Sequence, residues 1–154
     1  MLEAIGQWPG ALLLRQSSTL YLFVNAAHIL GVGLLLGPIL LLDARLLGAL
    51  RSAPLGTIGP ILAGAAKFGV ALAVITGLAL FSVRPAEYVA NPAFLAKLVL
   101  LALAIANALA LDFSADWKAA TAGGLVTARL RAQAALSGLF WLAALVAGRW
   151  IGFV

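Results

Sequence analysis

Residues 20–42 read LYLFVNAAHILGVGLLLGPILLL, and this stretch decides the fold. It contains no Asp, Glu, Lys or Arg. As an α-helix with a rise of about 1.5 Å per residue, it is long enough to cross the roughly 30 Å hydrocarbon core of a bilayer. We therefore predict a transmembrane helix over residues 20–42.

Three further apolar stretches of similar length cover residues 58–83, 92–111 and 134–154. They are continuous runs rich in Leu and Ala, which favours helices over the alternating strands of a membrane β-barrel. Asn91 and Pro92 form a start signal for the third helix, because Asn caps helices and Pro fits the first helical position. The short connections predict an all-α, integral membrane antiparallel four-helix bundle.

The composition excludes a soluble globular protein. Of the 154 residues, 64% are hydrophobic and 10% are charged, and the mean hydropathy is +1.12. An ordinary soluble domain carries about 25% charged residues. We predict a single membrane domain over residues 1–154, in which residues 1–15 are too short to span and lie along the interface.

The charge distribution predicts the orientation and the partner. The formal net charge is +5, but the basic residues are scattered between apolar stretches, which indicates a lipid bilayer rather than a nucleic acid as the partner. An excess of basic residues marks cytoplasmic loops. We therefore predict that the loops at 43–57 and 112–133 are cytoplasmic and that both termini face outward. The basic residues of these loops are Arg45, Arg51, Lys118, Arg129 and Arg131.

Small residues at four-residue spacing predict where the helices touch, since they allow backbones to approach closely in lipid. Pro38, near the end of the first span, is expected to kink that helix or to end its regular hydrogen bonding. The predicted contact residues are Gly33 and Gly37 in the first span, Ala65, Gly69, Ala73 and Gly77 in the second, Ala102, Ala106 and Ala110 in the third, and Ala144, Gly148 and Gly152 in the fourth.

A polar stripe on the first span is the main candidate binding site. Tyr21, Asn25 and His28 lie on one helical face, and polar groups in lipid are costly, so the stripe should face the bundle. Lys97 and Arg149 are predicted at a comparable depth. Together these residues predict a cationic outer-leaflet pocket for carboxylates, phosphate or the propionates of a haem. The alternative is that the stripe only hydrogen-bonds a neighbouring helix and that both cations extend to the headgroups.

A second set of polar residues lies near the predicted cytoplasmic ends of the spans. Lys67 sits well inside its span, where an unpaired charge costs several kcal/mol. We predict that it forms a structural ion pair with Asp43 or Asp112. The alternative is a proton or ion relay through the same residues.

Catalytic and metal motifs are missing from the sequence. It has no cysteine, one histidine, no glycine-rich nucleotide loop and no H-E-x-x-H. Because the candidate Ser18 lies on the same stripe as His28 and the aspartates are predicted to be cytoplasmic, a Ser-His-Asp hydrolase is disfavoured. We therefore expect a protein that is not an enzyme and has no dedicated metal site.

Several motifs, in order, resemble an uncharacterised family of bacterial four-helix integral membrane proteins. They are His28 followed by Gly31, LDARLLG at 42–48, Thr76-Gly77, YVANPAF at 88–94, Lys97, Asn107 and GRWIG at 148–152. The resemblance covers about residues 20–152. It implies a multi-pass protein of the bacterial inner (cytoplasmic) membrane, and the family has no established activity to transfer. A looser similarity links the chain to copper-resistance D type and b-type cytochrome membrane domains.

Three functions are consistent with these patterns. The first is a non-catalytic binding module, or an accessory subunit that joins another membrane subunit or a second copy of itself, with its ligand in the outer pocket. The second is a haem b electron-transfer protein with His28 as an axial ligand. The third is a small-solute or proton transporter that uses Lys67 and Asp43.

Overall fold

The computed structural model describes residues 2–153, and no strand occurs in that range. Within these residues there are eight helices, in the order α1 (Leu2–Gly6), α2 (Pro9–Gln16), α3 (Ser18–Leu47), α4 (Leu55–Val83), α5 (Pro85–Ala90), α6 (Pro92–Asp112), α7 (Ala115–Thr121) and α8 (Ala128–Trp150).

Four of these helices, α3, α4, α6 and α8, are long and apolar enough to cross a membrane. The prediction of an all-helical, multi-pass membrane protein is confirmed at this level. Helices α3, α4 and α6 extend beyond the predicted apolar stretches by one to five residues at one or both ends. The largest difference is in α8, which begins at Ala128 rather than at residue 134 and ends at Trp150.

The helix ends follow from local chemistry. Asn91 caps α6, because its side chain accepts hydrogen bonds from the backbone N–H groups of Ala93 and Phe94. Gly48 ends α3 with a φ of 106°, a left-handed conformation that glycine adopts without a Cβ clash. Pro38 lies within α3, and the helix continues to Leu47. The helix therefore does not end at Pro38, and the kink expected there stays a prediction.

The closest helix contact joins α3 to α4 through glycine. A Cβ on Gly31 would lie 2.7 Å from the backbone nitrogen of Ala73, and a Cβ on Gly69 would lie 2.4 Å from that of Leu35. The prediction for Gly69 and Ala73 agrees with this contact. For α3 the prediction of Gly33 and Gly37 is wrong, since nothing lies within 4 Å of a Cβ at either position. The face of α3 that carries Gly31 contacts α4 instead.

The remaining long helices pack as α6 against α8 and α8 against α3. Asn107 Nδ2 donates to the Gln133 carbonyl at 3.0 Å, and Asn91 Nδ2 donates to the Ile151 carbonyl at 3.3 Å. Residue numbers therefore run in opposite directions along α6 and α8. No interface of comparable extent joins α4 to α6.

Two clusters of buried side chains lie between the helices. The first joins one end of all four long helices and α7, through Leu42, Leu46, Leu55, Leu111, Trp117, Ala120, Leu130 and Ala134. The second lies further along the same helices and contains Leu35, Ala66, Ala104 and Trp141. A cavity lined by members of both clusters lies between them.

The segment predicted to lie along the interface forms α1 and α2. Helix α2 packs against α4 and α3 and buries Ala11 and Leu14. Arg15 Nε donates to the Val83 carbonyl at 2.7 Å, so this side chain satisfies a backbone acceptor at the end of α4.

Candidate functional site

A cavity of about 190 Å³ lies among α3, α4, α6, α7 and α8, and we name it the Asp43 cavity. Most of its wall is aliphatic, with Leu, Ile, Val and Ala from α3, α4 and α6. Two indole rings complete the apolar wall, those of Trp117 and Trp141. Its polar lining residues are Asp43, Lys67, Asn107, Asp112 and Ser137. An apolar pocket with a few convergent polar groups is typical of a small-molecule site.

Asp43 is the buried acid of this cavity. It lies in the last turns of α3 and is 4% exposed. Its carboxyl group has a hydrogen bond from the Ser137 side chain of α8. Its second oxygen, Oδ2, is buried and has no hydrogen-bond partner among residues 2–153. A buried carboxylate oxygen without a partner is unfavourable, so this atom marks a position for a ligand or a proton.

The face of α8 that meets Asp43 carries Gln133, Ser137 and Trp141 at four-residue spacing, so the three side chains lie on one stripe. Trp141 is 2% exposed. Its Nε1 donor and the Gln133 Oε1 acceptor are both buried without a hydrogen-bond partner in the described part of the chain. Ser137 and Trp141 were not predicted from the sequence. Their spacing was the available signal, but Ser and Trp are common in membrane helices.

Lys67 and Asp112 form an ion pair across α4 and α6, with Nζ 2.8 Å from Oδ2. Both residues line the Asp43 cavity. The Lys67 side chain is 62% exposed and that of Asp112 is 26% exposed, so the pair lies at the edge of the cavity. Of the two partners predicted for Lys67, the structure brings it to Asp112. Asp43 is not part of this ion pair, because its carboxyl group is held against α8.

His28 makes its contacts with α4. Its Nδ1 lies 3.0 Å from both the Ala73 carbonyl oxygen and Thr76 Oγ1. Thr76 Oγ1 itself donates to the Leu72 carbonyl at 2.6 Å, so towards the imidazole it is an acceptor. Two acceptors at Nδ1 assign the proton of a neutral ring to that nitrogen. The other nitrogen, Nε2, then carries the lone pair.

Tyr21 and Asn25 do not join His28 in a buried pocket. Both are exposed, and Asn25 makes no side-chain hydrogen bond within residues 2–153. Tyr21 lies near Tyr88 of α5. Burial raises the pKa of the Tyr88 phenol above its usual value, and the neighbouring Tyr21 raises that pKa further, while Arg84 lowers it.

Lys97 and Arg149 lie in surroundings that differ from each other. The Lys97 side chain lies against Gly148, and a Cβ on Gly148 would lie 3.4 Å from the Cδ, Cε and Nζ atoms of Lys97. The charge of Lys97 acts on His28. Arg149 is exposed, and its guanidinium stacks on the Phe153 ring at 4.5 Å. Of the five residues predicted for the outer pocket, His28 and Lys97 interact through the charge of Lys97. The structure does not gather Tyr21, Asn25 and Arg149 around them.

An apolar groove of about 540 Å³ lies between α6 and α8 and is lined by Ala93, Ala96, Val146 and Trp150, among others. Neither this groove nor the Asp43 cavity is lined by His28. In the part of the chain that the structure describes, no group of three or more His, Cys, Asp or Glu side chains is arranged to hold a metal ion.

Comparisons with known proteins give no relative: no family model, curated protein or solved structure matches the chain. The resemblance to four-helix bacterial membrane proteins remains a prediction, and the candidate site rests on the geometry above.

Proposed function

We propose that this protein is a non-catalytic binding module of the bacterial inner membrane, and that its ligand occupies the Asp43 cavity. In this proposal the four long helices form an antiparallel bundle with both termini outside. The sequence pattern favours a binding module with its ligand near His28. The proposal keeps the class of function and moves the ligand to the Asp43 cavity.

The observation that supports this proposal is that Asp43 lines a cavity and that its buried Oδ2 has no hydrogen-bond partner among residues 2–153. A purely structural acid would have its oxygens satisfied, because an unsatisfied buried polar group costs about 1 to 3 kcal/mol. Ser137 donates to the Asp43 carboxyl group, and Oδ2 is left without a partner among residues 2–153. A ligand group bonded to Oδ2 would remove the cost.

The lining of the cavity favours binding over catalysis. No His and no Cys lines it, so the common general base and the common thiol nucleophile are both missing from its wall. Its volume of about 190 Å³ is below the range of about 300 to 1,000 Å³ that is usual for drug-sized ligands. A small molecule is therefore the proposed ligand.

Native mass spectrometry of the purified protein tests the proposal. Ala108 lines the cavity, and Ala106 of the same helix is exposed and does not line it. We expect a small co-purified molecule with the wild type and with Ala106→Phe, and its loss with Ala108→Phe, because the phenyl ring fills the cavity. A wild type with no bound molecule, or Ala108→Phe with undiminished ligand, contradicts the proposal. Flux into proteoliposomes separates a transporter from a module that only binds.

A second candidate function is haem b binding with His28 as an axial ligand. The orientation of the ring supports it, because a ligating His commonly donates its other N–H to a backbone carbonyl or a side chain. Here Nδ1 faces the Ala73 carbonyl and Thr76, which leaves Nε2 for the iron. A visible absorption spectrum of the purified protein decides this: a Soret band that is lost in His28→Ala supports haem b, and its absence from the wild type rejects it.

A further inference from the structure

We propose a chemical class for the ligand of the Asp43 cavity, and this inference rests on the proposed function. It is a small organic ammonium, a protonated amine with a short apolar body, whose charged nitrogen binds the Asp43 carboxylate. The inference depends on the charges, the wall and the size of the cavity.

The charged residues around the cavity leave one acid, Asp43, without a cation. Asp43 comes from α3, Lys67 from α4 and Asp112 from α6, and neither α7 nor α8 contributes a charged residue to the lining. Lys67 and Asp112 are paired with each other at 2.8 Å. Asp43 therefore faces the cavity with a neutral hydroxyl, Ser137, as its hydrogen-bond donor. A buried carboxylate needs a proton or a cation, and a cationic ligand group at Oδ2 would keep the acid ionised.

The wall of the cavity favours an organic cation over a metal ion. Calcium takes about six to eight oxygen ligands, and magnesium requires a near-octahedral set. Asp43 is the one unpaired carboxylate here, and most of the remaining surface is aliphatic or aromatic. An ammonium group needs fewer oxygen partners and is also attracted to the faces of aromatic rings. Trp117 and Trp141 supply two indole rings in the same wall.

The size of the cavity limits the apolar body. An apolar cavity of about 150 Å³ accommodates benzene. The Asp43 cavity, at about 190 Å³, therefore has room for a single ring or a short chain with one polar head. The buried Trp141 Nε1 donor is left for a hydroxyl on the ligand or for a water molecule. The ligand is thus a small monoamine with at most one further polar group.

Two probes of nearly identical shape test this class directly, benzylammonium and benzyl alcohol. Their affinities are measured by calorimetry on the full-length protein in detergent, with Ala108→Phe correcting for partition into the micelle. We expect wild type to prefer benzylammonium by about tenfold or more, as for a charge-assisted hydrogen bond. Asp43→Asn should reduce that preference to less than about threefold. Glu87→Gln is the matched control, because Glu87 is exposed and pairs with Arg84. This substitution should leave the preference for benzylammonium unchanged.

The outcomes separate the two proposals. If both probes bind equally to wild type and Ala108→Phe abolishes their binding, the ammonium class is overturned while the binding module stands. The class is also overturned if a co-purified molecule is lost in Ala108→Phe but neither probe binds. If neither probe binds and no molecule co-purifies, both proposals fail. Should Asn at position 43 prevent folding, the preference of the wild type between the two probes still decides the class.

Discussion

Gly31 and Gly69 lie face to face, so that each would place a Cβ against the backbone of the opposite helix. A Cβ on Gly69 would lie 2.8 Å from the Gly31 carbonyl oxygen, and a Cβ on Gly31 would lie 3.2 Å from the Gly69 carbonyl oxygen. Both residues are buried. The distance between α3 and α4 is therefore set by the absence of two side chains.

The first prediction concerns this contact. Gly31→Ala should destabilise the protein by about 1 to 3 kcal/mol, because the new methyl group lies 2.7 Å from the Ala73 backbone nitrogen, which cannot move alone. Gly33→Ala, on the same helix with nothing within 4 Å, should be neutral or stabilise by up to about 1 kcal/mol. Unfolding in a denaturing detergent measures both. Equal effects of the two substitutions would contradict the interface.

The second prediction concerns Lys67 and Asp112. In a double-mutant cycle, Lys67→Met and Asp112→Asn should each destabilise the protein. The double variant should lose less free energy of unfolding than the sum of the two single losses. The reason is that each single change leaves one charge unpaired beside lipid. We expect a coupling of about 0.5 to 3 kcal/mol.

The Arg84–Glu87 pair is the matched control for this cycle. The Arg84 guanidinium lies 3.3 Å from Glu87 Oε2, and the two side chains are 69% and 68% exposed. The coupling of this exposed pair should stay below about 1 kcal/mol. Thermal unfolding of the variants gives both couplings. A Lys67–Asp112 coupling no larger than the control would show that the ion pair does not stabilise the fold.

The third prediction concerns Asn91, which acts on two helices. Asn91→Ala should lower the free energy of unfolding by about 1 kcal/mol through loss of the helix cap. Loss of the hydrogen bond to the Ile151 carbonyl should lower it further. Asn91→Asp keeps the acceptor for Ala93 and Phe94 but removes the Nδ2 donor. Its stability in the same unfolding assay should lie between those of Ala and wild type. If Asp proves no better than Ala, the cap is not the stabilising contact.

The fourth prediction concerns topology, and the chain suits the experiment because it has no native cysteine. Leu125→Cys, at a side chain that is 90% exposed, should react with a membrane-impermeant maleimide only after the cells are opened. Ala86→Cys, exposed in α5, should react in intact cells. The expectation follows from the basic residues of the loop at 112–133. The reverse labelling pattern would place both termini in the cytoplasm.

The sequence predicted the four long helices well, because length and hydropathy are sufficient to identify them. It predicted the helix contacts less well. Gly31 and Gly33 are equally small, and the small-residue pattern alone does not specify which face of α3 meets α4. That choice depends on the partner helix, where the backbone atoms of Gly69 and Ala73 can be approached closely.

The candidate site was predicted in part, for a related reason. Lys67 and Asp112 were identified because an isolated charge within a span requires a partner. Ser137 and Trp141 were missed, since neither residue type is unusual in a membrane helix. Their importance depends on facing Asp43, which comes from a helix far away in the sequence. Arg149 was placed in the outer pocket by its depth alone, but its guanidinium stacks on Phe153.

The hydrogen bond between Asp43 and Ser137 has a consequence for the order of synthesis. The α3–α4 contacts involve residues of the first half of the chain, and N-terminal segments fold first as a chain emerges from the ribosome. Both helices of that contact are synthesised before α8. During this interval the Asp43 carboxyl has no Ser137 to bond, so the nascent protein carries an unpartnered acid. Insertion of α8 supplies the missing hydroxyl, and a chain that stops before α8 retains the unpartnered carboxylate.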